Sequence, residues 1–161
     1  MHVSFDSAYD YPASPDAVLT VLTDEQFLRD RAAALDTQVQ EVTVSGSATT
    51  TRLSAPTAGI PPVFARFVGS AVAVVERSTW TPDGSGGHRS PLDVRSEVFG
   101  REVRVTGERR LRPEAGGTRA TVTGDVRVDA PLVGRQAENA VRELMTVVLR
   151  KEDVLLRSRL A

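Results

Sequence analysis

Cysteine is absent from the chain, which excludes disulfides, thiolate nucleophiles and sulfur-ligated metal sites. Histidine is nearly absent as well. His2 stands at the N-terminus and His88 beside a glycine-rich turn, so the residues for a Ser-His-Asp site or a zinc centre are not there. Lysine occurs once, as Lys151, and arginine supplies the rest of the positive charge. The formal net charge is only −1, so no long-range field draws the chain towards nucleic acid or an anionic membrane. Long apolar runs are missing too: stretches such as "SAVAVVE" have strand length and fall far short of a bilayer span. The opening "MHVSFDSAYDY" lacks the basic and apolar regions of a signal peptide. Together these absences set the expectation of a cytoplasmic protein with no stable membrane insertion, no nucleic-acid partner, no metal and no cofactor.

What is present describes an ordinary globular chain, 40% apolar and 25% charged, whose residues 1–161 are expected to form one domain. Val3, Phe5, Ser7, Tyr9 and Tyr11 alternate with more polar residues, a strand pattern that stops at Pro12. Ser14-Pro15 is a helix start, with serine capping and proline in the first turn. Thr23-Asp-Glu-Gln26 reads as a capping box, opening a second short helix through Phe27, Leu28, Arg31, Ala32 and Leu35. Period-two segments then return on either side of Ser45-Gly46-Ser47, with a parity break between Val39 and Val42 that predicts a bulge. Pro61-Pro62 interrupts them, and the following Val63, Phe64 and Phe67 suggest a loop with a short helical turn. Further strands are expected at "AVAVVERSTW", "PLDVRSEVF", "REVRVTGERRLR" and "TRATVTGDVRVDA". The "GSGGH" from Gly84 to His88 lacks the following helix and lysine of a phosphate loop, and is a hairpin turn. After Pro131, Val133, Ala137, Ala140, Val141, Leu144, Met145, Val148, Leu155 and Leu156 recur at helical steps, with Glu138, Glu143 and Glu152 among the residues assigned to the opposite side.

The late strands sort their charges by face. Glu102, Arg104, Glu108, Arg110 and Arg112 share one side, which describes a solvated sheet surface with mixed-sign pairs rather than an RNA-binding stripe. Two charges break the sorting: Arg109 falls among Val103, Val105, Gly107 and Leu111, and Glu76 among Val72, Val74, Ser78 and Trp80. Buried charges require partners, so Glu76 and Arg109 pair with each other, or a bulge returns one of them to water, or they hold polar groups of a ligand. Gly107 and Gly124, also on the inward side, are read as points where the sheet bends.

The order of strand, two short helices, six antiparallel strands and long helix resembles the START-like superfamily, which includes the polyketide cyclases and the birch-pollen-allergen proteins. The stretches "YPASPDAVLTVLTDEQFLRDRAAAL" and "VRVDAPLVGRQAENAVRELM" carry the likeness, which is closest to an uncharacterised actinobacterial family. The resemblance implies an α+β helix-grip fold: a curved seven-stranded antiparallel sheet around the C-terminal helix, with a hydrophobic cavity between them. It implies no particular reaction, since the superfamily hosts carriers, cyclases, hydrolases and chaperone regulators. The expected function is binding of a small hydrophobic or amphipathic molecule, without catalysis, in a cavity lined by Glu76, Trp80, Arg109, Phe64, Phe67, Val105, Val122, Leu144 and Val148. The alternatives are a cyclase or hydrolase with Glu76 as base and Arg109 as electrostatic stabiliser, and an interaction module with a filled core.

Overall fold

The computed structural model describes residues 3–56, 71–98, 101–130, 132 and 134–161. Phe64 and Phe67, with the Pro61-Pro62 segment, lie outside these described residues. Strand β1 (Val3–Tyr11) leads into helix α1 (Pro15–Leu22), whose cap Ser14 accepts from the Ala17 backbone N–H at 3.2 Å. Helix α2 (Glu25–Ala34) starts differently from the expected capping box. Thr23 closes α1, donating its hydroxyl to the Leu19 carbonyl at 2.8 Å, while Asp24 caps α2 by accepting from Phe27 N–H at 2.9 Å. The aspartate brings a full negative charge to the positive end of the helix, which a threonine does not.

The remaining strands are β2 (Gln38–Ser45), β3 (Ala48–Pro56), β4 (Ala71–Thr79), β5 (Thr81–Pro82), β6 (His88–Val98), β7 (Arg101–Glu114) and β8 (Gly117–Val128). They pair antiparallel in the order β1-β8-β7-β6-β4-β3-β2, with the two-residue β5 added beside β6. The main path therefore holds the seven strands expected. The predicted bulge lies between Val39 and Glu41. Helix α3 (Gly134–Leu160) runs across the concave side, packing on β1, β8, α1 and α2. Curved sheet, two short helices and a long helix held in the sheet make this a helix-grip fold.

Two apolar clusters lie under α3. One joins Val18, Leu22, Phe27 and Leu28 of the short helices to Trp80, Leu111 and Leu156. The other holds Leu92, Val105, Val122, Val126, Met145 and Leu149. Coverage of the sheet is uneven. The inner faces of β7 and β8 are fully buried at Val105, Leu111, Val122 and Val126, whereas Val39, Val42, Leu53, Val72 and Val74 on β2, β3 and β4 remain half-buried. Gly107 and Gly124 face each other across β7 and β8. A side chain at Gly107 would place its Cβ 2.0 Å from the Thr123 carbonyl oxygen, so close backbone approach is what requires glycine here.

Candidate functional site: a buried charge network under the C-terminal helix

Along β7, Arg109 stands between Val105 of one apolar cluster and Leu111 of the other. Along α3, Glu152 stands between Leu149 and Leu156 in the same way. The gap between the clusters is therefore ionic. Arg109 donates from both terminal nitrogens to Glu152, Nη1 to Oε2 at 3.3 Å and Nη2 to Oε1. Arg31 of α2 donates Nη1 to Glu152 Oε2 and Nη2 to Glu76 Oε1, each at 2.7 Å. The result is a chain of alternating sign, Arg109, Glu152, Arg31, Glu76, drawn from β7, α3, α2 and β4.

Its electrostatics follow from burial and pairing. Side-chain exposure is 6% for Arg31, 6% for Glu152 and 9% for Arg109, and rises to 17% at Glu76. Burial pushes the Glu152 carboxyl up, but Arg109 and then Arg31 outweigh it and hold the group down, to about 2. For Arg31, burial acts to lower the guanidinium, and the facing carboxylates of Glu76 and Glu152 overcome it and raise it. Two guanidinium groups and two carboxylates alternate, so their formal charges sum to zero. Such a network is costly to bury yet strongly destabilising to break, because a lone charge would remain in the core. The Arg109 guanidinium also stands 5.7 Å from the centre of the Trp80 ring, within cation–π range.

Glu76, Trp80 and Arg109 all face inward, as their alternation predicts. Glu76 and Arg109 do not touch each other; Arg31 and Glu152 connect them. With both of its terminal nitrogens on Glu152, Arg109 is not presented to a ligand carboxylate. Val105 and Val122 are core residues, 2% and 5% exposed, and Val148 is half-buried. Leu144 departs from the expectation: at 47% exposed it lies off the inward stripe. The helix buries Glu138, Met145, Leu149, Glu152 and Leu156 instead. It turns this way because both carboxylates find partners inside, Glu152 in the two arginines and Glu138 in the Val128 backbone N–H at 3.0 Å. Among the residues that sequence reasoning passed over, Arg31 already sat within an apolar helical set, and Glu152 occupies the 4-3-4 spacing from Met145 to Leu156.

On the outer face, Arg104 pairs with Glu102 at 2.9 Å and Arg110 with Glu108 at 2.8 Å, so charges of both signs alternate along β7 there. A groove of about 460 Å³ on this face is lined by Arg52, Val75, Arg95, Glu97 and Glu102, again of both signs. His88 bonds Asp16 at 2.7 Å and lies outside the network. Among the described residues no cluster of histidine and carboxylate side chains is placed to hold a metal, and no helix is long and apolar enough to cross a membrane.

The grip of sheet on helix is shared with solved structures that match the chain over nearly its whole length. An aromatase/cyclase named Zhui from a Streptomyces species has a TM-score of 0.55 at 16% identity, covering 99% of this chain and 92% of its own. Ara h 8.0201 gives 0.60 at 12% identity, with 98% and 99% covered. A STAR-related lipid transfer protein fragment from Xanthomonas axonopodis gives 0.61 at 20% identity, with 96% and 85% covered. At these identities the likeness concerns the fold. No curated protein matches the sequence. The chain belongs to the family described as protein of unknown function, DUF2505, which it matches over residues 6–160.

Proposed function

We propose that this protein binds a small hydrophobic or amphipathic molecule between the sheet and α3, as a non-catalytic carrier. The observation that carries this reading is the uneven cover of the inner face. Val39, Val42, Leu53, Val72 and Val74 of β2, β3 and β4 stay half-buried while Val105, Leu111, Val122 and Val126 of β7 and β8 are buried, leaving apolar surface for a guest to cover. Support also comes from the names of solved neighbours, one a lipid transfer protein and one an aromatase/cyclase, both of the same fold. The absence of cysteine agrees with work in the cytoplasm. A hydrolytic or cyclising role for Glu76 and Arg109 is less well supported, because Arg109 is engaged by Glu152 and Glu76 by Arg31.

Native mass spectrometry of protein purified gently from its own host tests the proposal. A reproducible adduct that disappears on denaturation is the expected result. A clean unliganded mass, repeated after adding a panel of lipids and polyketides, would overturn it in favour of an interaction module with a filled core.

A further inference from the structure

Resting on that ligand-binding reading, we infer that the guest carries a neutral hydroxyl group, alcohol or phenol, seated against Glu76 and Thr51 on the inner face of β3 and β4. Thr51 stands directly opposite Glu76 in the strand register. It is 1% exposed, and its hydroxyl oxygen is buried without a hydrogen-bond partner. Native structures seldom leave such a group unsatisfied. Beside it, Glu76 is the most accessible of the four network charges, and Arg31 occupies only its Oε1. The strand register thus sets a carboxylate oxygen that Arg31 leaves open opposite an unpartnered hydroxyl, one a pure acceptor and one able to donate or accept.

The charge balance narrows what fits there. The four terminal guanidinium nitrogens of Arg31 and Arg109 are all turned to carboxylates. A guest carboxylate or phosphate would add negative charge beside Glu76 to a network whose two cations are already balanced by two carboxylates. A guest ammonium would place an extra positive charge beside Arg31, which lies 2.7 Å from the same carboxylate, in a network that already sums to zero. An ether or ketone has no proton to give Glu76. A hydroxyl donates to Glu76 and accepts from Thr51 at once, without adding charge.

Equilibrium dialysis with two matched sets of probes separates these cases: 1-decanol, decyl methyl ether and decanoate, then 2-naphthol, 2-methoxynaphthalene and 2-naphthoate. The hydroxyl member of at least one set is expected to bind about tenfold more tightly than its ether and its acid, the scale of one hydrogen bond to a charged group. Thr51→Val removes an unpartnered hydroxyl at nearly constant shape, so the fold is kept while the preference falls several-fold. Glu76→Gln should reduce it further, although Arg31 then loses a partner. Equal binding of hydroxyl, ether and acid, tightest binding of the acid, or a full hydroxyl preference in Thr51→Val would each overturn this inference and leave the carrier reading standing. Failure of both whole sets to bind would overturn the carrier reading and the headgroup with it.

Discussion

Glu152 receives hydrogen bonds from two arginines, so among the described residues its charge is the most heavily used in the interior. Glu152→Gln leaves Arg109 and half of Arg31 facing a neutral amide in the core. A loss of about 3–5 kcal/mol in urea denaturation is expected, the usual consequence of breaking a buried pair from one side. Replacing Arg109→Met and Glu152→Leu together should cost less than Glu152→Gln alone, since Arg31 keeps Glu76 and no unpaired charge remains there. The same carboxyl gives the protein an acid-sensitive component. Its folded value, about 2, lies below the ordinary 4.5, so the unfolded chain takes up this proton first. The stability it contributes is therefore present above pH 4.5 and lost as pH falls towards 2. Denaturation midpoints measured from pH 6 down to pH 3 should fall steeply in the wild type and less in Glu152→Gln; parallel curves would show that the charge has no such role.

At the scale of elements, β7 and β8 come together through paired glycines, and helix α3 is turned by its carboxylates. Gly107→Ala puts a methyl group 2.0 Å from a backbone oxygen, so the two strands must part or shift. A destabilisation of about 3 kcal/mol is expected, at the upper end of ordinary single substitutions; a midpoint unchanged within error would mean that the strands open without cost. Elements of this kind were largely legible in the sequence, because alternation and helical spacing are local. Val3–Tyr11, the hairpin at Gly46 and its bulge follow from neighbouring residues alone. The rotation of α3 was less legible. Glu138 and Glu152 belong by residue type to a solvated face, and only partners far along the chain make burial favourable. The start of α2 was misplaced by one residue for a local reason: Thr23 and Asp24 are both capable caps, and Thr23 is taken by the end of α1.

Over the whole molecule, packing is tight where α3 meets β1 and β8 and looser across β2, β3 and β4. Hydrogen exchange should therefore be slowest in β7 and β8, and a bound guest should slow β3 and β4 selectively. Uniform slowing of the sheet, or protection confined to β7 and β8, would place the guest elsewhere. Half of the charge network was visible in advance: the alternation that exposed Glu76 and Arg109 as inward charges is a property of single strands. Their partners were not, since the contact between Arg31 and Glu152 joins residues 121 positions apart, a relation that no window of sequence contains. That separation also bears on how the chain is made. While the ribosome is still adding residues, Arg31, Glu76 and Arg109 emerge before the carboxylate that unites them, and the interior cannot close over the one positive charge they leave unbalanced without penalty. Water keeps those side chains until α3 arrives. Arrival of α3, which brings Glu152, is thus the step that lets the interior close.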